Sequence, residues 1–182
     1  ENSFDFQVNV SLNQANFPIL VNNQLAATPT IIELGNDGIG KEILLAEYWG
    51  QIITIDNDGN PLPEWHYDMG NQVWGTPAIG DLNGDGEDEI VLTSKDGKAV
   101  ILDLNGNEML VYDTGQFLMG TPALGNLDMD EDLEIVFAGY TPSGKVFAIN
   151  IDGSDVPGFP IILSERILGG VALADLNSNS KD

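Results

Sequence analysis

The chain has no cysteine, a single histidine and only six basic residues in 182 positions. No disulfide and no thiolate zinc site can form, and His66 alone gives little to a His-based metal site or proton relay. Six Lys and Arg against 29 Asp and Glu leave a net charge of −23. That balance excludes a nucleic-acid binder working through a basic patch and argues against adsorption to anionic membranes. No apolar run approaches the roughly 18 residues of a membrane helix, so direct insertion by a helix is not expected. Nor does any stretch hold an i, i+3, i+4 apolar pattern free of Gly and Pro, so no helix of any length is predicted. The chain begins at Glu1 without a basic leader, as a processed or trimmed product would. What remains is 42% hydrophobic, a globular figure, in a chain long enough for one ordinary domain with a real core.

The organising stretch is Asp81-Leu82-Asn83-Gly84-Asp85-Gly86-Glu87-Asp88-Glu89. Side-chain oxygens fall at loop positions 1, 3, 5 and 9 (Asp81, Asn83, Asp85, Glu89), and the carbonyl of Glu87 is available at position 7. Hard cations such as calcium take six to eight oxygens from such groups, and Gly86 at position 6 permits the sharp turn this requires. An EF-hand would need a bidentate acid at position 12 and a helix on each side. Position 12 is Leu92, and the flanks are aliphatic, β-branched and Gly-rich, so the loop joins two strands.

This unit recurs. Gly75-Thr76-Pro77-Ala78-Ile79-Gly80-Asp81-Leu82 returns as Gly120-Thr121-Pro122-Ala123-Leu124-Gly125-Asn126-Leu127, with weaker copies at Ala27-Thr28-Pro29-Thr30 and at 169–176. Thr28, Thr76, Thr121 and Gly170 are spaced by 48, 45 and 49 residues. A second pattern gives the same register: Asn16-Phe17-Pro18-Ile19-Leu20 matches Gly158-Phe159-Pro160-Ile161-Ile162, again 142 residues apart. The predicted organisation is one domain: 1–27 ends a preceding unit, 28–75, 76–120 and 121–169 are full repeats, and 170–182 starts another.

Each repeat reads as four short antiparallel strands. In the second they are 75–81, 89–94, 98–104 and 108–112, with turns at Lys95-Asp96-Gly97 and Asn105-Gly106; Asp58-Gly59, Ser143-Gly144 and Asp152-Gly153 mark equivalent turns. Runs such as Ile90-Val91-Leu92 and Ala99-Val100-Ile101-Leu102 have no polar alternation, so both sheet faces must be buried. Repeats of this length and pattern predict an all-β fold: a β-propeller of four-stranded blades, with Gly and Ala of each first strand at a crowded axis. A closed propeller needs about four to eight blades. Three blades with partial ones at both ends imply a segment of a larger propeller, packing against the rest of a longer chain or another copy.

The unit Thr76-Pro77-Ala78-Ile79-Gly80-Asp81-Leu82-Asn83-Gly84-Asp85-Gly86, continued by Glu89-Ile90-Val91-Leu92 and Gly97-Lys98-Ala99-Val100, resembles the FG-GAP/VCBS repeat of integrin-α-like propellers. The resemblance runs from about Phe17 to Asp182. It implies calcium in the hairpin between the first and second strands of each blade, on a secreted or cell-surface protein, and it implies no particular reaction.

The loops differ. Asn126, Asp128, Asp130 and Glu134 repeat the oxygen positions, with the carbonyl of Asp132 at position 7, but Glu131 replaces the position-6 Gly. The fourth loop offers Asp175, Asn177, Asn179 and the carbonyl of Lys181, and the sequence stops before position 9. In the first, Glu33, Gly35 and Asp37 hold positions 1, 3 and 5, and one extra residue displaces Glu42. Each loop can also be read as a solvated turn of the kind Asp, Asn and Gly favour. Glu64-Trp65-His66-Tyr67, with Trp49 and Trp74, could stack sugars, but outer-strand aromatics more often fill the wedge between blades. His66 reads as a surface or packed residue, because no positioned partner for acid-base work is visible. The first functional expectation is a non-catalytic, calcium-stabilised binding, adhesion or scaffold module with an unidentified protein or glycan ligand. The alternatives are the propeller of a secreted polysaccharide-active enzyme, lyase-like, and a structural spacer.

Overall fold

The computed structural model describes residues 16–21, 23–35, 40–128, 130 and 132–174. It is all-β in these residues, with three separate four-stranded antiparallel sheets, each wound in sequence order. The first holds β1 (Thr30–Ile32), β2 (Glu42–Ala46), β3 (Gln51–Ile55) and β4 (Pro61–Asp68). The second holds β5 (Ala78–Gly80), β6 (Glu89–Thr93), β7 (Lys98–Leu102) and β8 (Glu108–Asp113), and the third β9 (Ala123–Gly125), β10 (Glu134–Ala138), β11 (Lys145–Ile149) and β12 (Ile161–Ile162). These are propeller blades.

Of the middle strands, β6 and β10 are buried along their whole length. Side chains alternate between two cores, as the pleat demands. Ile90, Leu92, Val100 and Leu102 pack towards the first blade against Leu44, Ile52 and Trp65, whereas Val91, Ala99 and Ile101 pack towards the third against Ile135, Phe137 and Phe147. In that second core the Phe137 and Phe147 rings stack at 5.4 Å, and Tyr112 meets both edge-on. The absence of polar alternation in the sequence therefore means one sheet filling two interfaces.

The inner strands are shorter than 75–81 suggested. Pro77 has no N–H to give a ladder, and the Thr76 N–H donates to Thr121 Oγ1 of the next blade at 3.0 Å. Thr28 N–H does the same to Thr76 Oγ1 at 3.1 Å. Beside this hydroxyl clasp the glycines stack: a Cβ on Gly75 would lie 2.4 Å from the Gly120 carbonyl oxygen, and one on Gly120 2.3 Å from that of Gly169. β7 likewise ends at Leu102 because Asp103 turns into the hairpin, its N–H donating to Asn107 O. The hairpin turns carry Gly59, Gly106 and Gly153 at φ 85, 78 and 82°. Asp56 and Asp103 tie the first two by accepting the side-chain and backbone N–H groups of Asn60 and Asn107.

Between blades the aromatics act as expected of wedge residues. Trp65 is 8% exposed and its Nε1 donates to the Leu104 carbonyl at 2.8 Å. Tyr67 and Tyr112, on the outer strands β4 and β8, donate their hydroxyls to Glu108 and Asp155 of the following blade, each at 2.7 Å. His66 is exposed on β4. On the free side of the first blade, Phe17, Ile19, Val21 and Leu25 lie over Ile43, Leu45 and Ile55 around a cavity of about 220 Å³.

Candidate metal-binding loops

Antiparallel winding puts the ends of the inner strands β1, β5 and β9 and the starts of the second strands β2, β6 and β10, which bracket the three acidic loops, at one end of the blades. Each loop closes on a glutamate that opens the second strand. Glu42, Glu89 and Glu134 are 3, 4 and 0% exposed, and each pairs with the last residue of the inner strand (Ile32, Gly80, Gly125). Their carboxylates accept the backbone N–H at loop position 2, from Leu34 at 2.8 Å, Leu82 at 2.7 Å and Leu127. The extra residue of the first loop thus leaves Glu42 in the same pairing as its counterparts. This latch was missed in the sequence, although a Glu-Ile pair at each second-strand start was its visible sign.

In the second loop the backbone coils around its own side chains. Asp81 accepts the N–H of Asp85 at 3.1 Å and of Gly86 at 2.8 Å; Asn83 accepts that of Asp85 at 2.9 Å, and Asp85 that of Glu87 at 2.8 Å. Gly84 and Gly86 sit at φ 70 and 92°, the left-handed conformation that the sharp turn needs. Asn83 Nδ2 donates to Glu89 Oε1 at 3.3 Å. Burial holds the Glu89 carboxyl above its ordinary range, and the Asp85 and Asp81 carboxylates push it the same way. Glu87 is exposed.

The third loop gathers its oxygens more tightly. Among the described residues, Asp128, Asp130 and Glu134 form the group of three carboxylates whose ligand atoms all lie within 4.8 Å of one another. Asn126 Oδ1 and Glu134 Oε1 are buried without a protein partner. Asn126 Nδ2 donates to the Asp130 carbonyl at 2.5 Å, and the N–H groups of Asp130 and Asp132 go to Asp128 and Asp130, both at 3.1 Å. Burial raises the Glu134 carboxyl, with Asp128 and Asp130 adding to it. A buried oxygen without a donor costs about 1–3 kcal/mol, so this donor set could hold a metal ion.

The fourth loop (Asp175, Asn177, Asn179, Lys181), Asp37 of the first and Glu131 of the third lie outside the described residues. Glu33 is exposed and Gly35 half-buried.

No protein-family model matches the chain, and no curated protein matches it. Among solved structures it is similar to the C-terminal domain of Pseudomonas aeruginosa PilY1 (TM-score 0.61, 15% identity, 79% of this chain and 35% of that one). It is also similar to BamB from Moraxella catarrhalis (TM-score 0.51, 17% identity, 74% and 36%). A third is the Vibrio cholerae biofilm matrix protein Bap1 (TM-score 0.52, 20% identity, 72% and 20%). The chain thus spans about a third of the first two and a fifth of the last. These propeller-type neighbours agree with the blades on the fold.

Proposed function

We propose that this chain is part of a calcium-stabilised propeller of the FG-GAP/VCBS type, an extracellular binding or scaffold module that is non-catalytic by itself. The observation that carries this reading is the pair of buried oxygens without donors, Asn126 Oδ1 and Glu134 Oε1, beside the Asp128 and Asp130 carboxylates. An all-oxygen set with several carboxylates suits calcium. Asn126, Asp128, Asp130, Glu134 and the Asp132 carbonyl would hold one ion, and Asp81, Asn83, Asp85, Glu89 and the Glu87 carbonyl a second. Such an ion supplies charge neutralisation where carboxylates otherwise repel. Asp175, Asn177, Asn179 and Lys181 belong to the same proposal on their sequence pattern alone.

Weak extracellular-type sites fill at about 10⁻⁴ to 10⁻³ M calcium, which supports placement outside the cell, where such concentrations exist. Leu20, Ile162 and Leu168, on the two end blades, are 94, 68 and 56% exposed. Apolar faces of this kind in repeat folds are covered by the next repeat, so further blades or another copy would pack there.

The test is thermal unfolding in EDTA, in millimolar magnesium and in millimolar calcium, at high ionic strength to screen general acidic repulsion. The midpoint should rise with calcium alone, and less so in Asp128→Ala. A midpoint indifferent to chelation would show that the loops are only acidic turns.

A further inference from the structure

The aromatics that the wedge does not use collect at the opposite end of the first blade. The turn 47–50 follows β2 and the segment 69–77 precedes β5, so both lie away from the acidic loops. There Tyr48 meets Trp49 edge-on at 5.0 Å and Trp74 at 5.4 Å. Trp49 is 60% exposed, whereas Trp65 of the same blade is 8% exposed. Gln72 fixes one edge of this shelf: its Oε1 accepts Trp74 Nε1 at 3.3 Å and Lys95 Nζ at 3.0 Å.

The repeat supplies an internal control. Strand register makes Tyr48 and Trp49 equivalent to Lys95 and Asp96 in the second blade and to Tyr140 and Thr141 in the third. The stacked glycines make Trp74 equivalent to Met119 and Leu168. Blades with these other residues fold alike, so the fold does not call for three rings here. Leaving an indole in water forfeits the burial that Trp65 of the same blade has.

We propose that Tyr48, Trp49 and Trp74 form a binding shelf for a neutral oligosaccharide built of pyranose rings. A pyranose offers an apolar face of C–H groups to an indole and a rim of hydroxyls to polar side chains, and here the rim is Lys95 with the Gln72 amide. Charge favours a neutral sugar. Lys95, Lys98, Lys145 and Arg166 lie at this end by strand direction, interleaved with carboxylates such as Asp68, Asp96 and Asp113. This end is therefore near balance in an otherwise strongly acidic chain. Size favours it too, since the exposed Trp49, with the half-buried Tyr48 and Trp74 beside it at ring tilts of 83 and 57° to Tyr48, offers room for one or two sugar units, while a stable protein interface wants about 800 Å² from each partner. The proposal gives the binding module a ligand class and needs no metal, because the shelf and the loops are at opposite ends.

The experiment titrates the full 182-residue chain with cellohexaose, mannohexaose and maltohexaose, and with polygalacturonate as the acidic counterpart, following tryptophan emission and calorimetric heat. At least one neutral hexasaccharide should bind, with affinity falling about tenfold or more in Trp49→Ala and being largely kept in Trp49→Phe. Met109→Ala, on an exposed outer-strand site, should bind as the parent does. Binding should persist in EDTA at a temperature where circular dichroism shows the chain folded, which separates this result from the fate of the calcium reading. Failure of all three neutral sugars, preference for polygalacturonate, or binding indifferent to Trp49→Ala and Trp74→Ala alike would overturn the proposal.

Discussion

Glu134 gives one carboxylate oxygen to the Leu127 N–H and keeps the other, Oε1, buried without a partner. The two oxygens serve different purposes and can be separated. Glu134→Gln keeps an acceptor for Leu127 but removes the charge, so calcium affinity by calorimetry should fall well over tenfold while the chelated protein keeps its melting midpoint within a few degrees. Glu134→Ala strands the Leu127 N–H and should cost about 1–3 kcal/mol even in EDTA. At 100-fold over its Kd each occupied site would add about 2.7 kcal/mol, which Glu134→Gln should lose in calcium. Equal behaviour of the two variants in EDTA would show that the latch contributes nothing.

Gly75→Ala should be among the most damaging small substitutions in the chain. Its Cβ would meet a backbone oxygen at 2.4 Å, and backbone cannot step aside as a side chain can. A cost of about 3 kcal/mol is expected by urea unfolding, at the upper end of ordinary overpacking. Gly84→Ala meets nothing within 4 Å and carries only its left-handed φ of 70°, worth about 1–2 kcal/mol. The reverse ranking would contradict the close approach of successive inner strands.

The threonine clasps should be unequal. Thr121→Val removes the acceptor of a part-buried N–H at Thr76, whereas Thr76→Val removes that of an exposed one at Thr28, which water can serve. Chemical denaturation should give about 1 kcal/mol or more for the first and less for the second.

Trp65→Ala should cost about 3–5 kcal/mol, as for other buried aromatics, while Trp49→Ala should leave the unfolding free energy nearly unchanged. This pair divides the tryptophans into one that holds blades together and one that faces solvent, and equal costs would erase the division.

Alkaline titration should find Tyr112 late. Burial pushes its phenol up to about 12, and the hydrogen bond to Asp155 adds to that. Because the folded value exceeds the ordinary one near 10, the linked stability is complete below about pH 10 and is lost as pH rises towards 12. Ultraviolet titration of Tyr112→Phe should show one late phenol fewer, leaving Tyr67, which burial and its hydrogen bond to Glu108 also push up, and Asp155→Asn should bring Tyr112 earlier.

Much of this architecture was legible in the residues. The Gly-Thr-Pro copies and the Asp-Gly and Asn-Gly hairpins marked four strands per repeat, because turn glycines and unbroken apolar runs each have a local cause. The starts of β6 at Glu89, β7 at Lys98 and β8 at Glu108 fall where the sequence pattern puts them. What escaped was non-local. Nothing near Thr76 announces that its N–H will leave its own sheet for Thr121, and Glu42 looked displaced because loop counting cannot see strand pairing. The aromatic signal was legible only as composition: Trp49, Trp65 and Trp74 share a repeat, and the structure alone parts the buried one from the shelf.

The division of β6 between two cores has a consequence for how the array comes apart. Each middle-blade strand owes its protection to both neighbours, so fraying of a terminal blade uncovers Leu92 or Val91 but never both. Stability in such arrays is a sum of unit and nearest-neighbour terms, and opening therefore propagates inward from the ends. Amide exchange should be slowest at Val91 and Ile101 and fastest in β1 and β12, a gradient along the chain set by distance from the nearest uncovered blade.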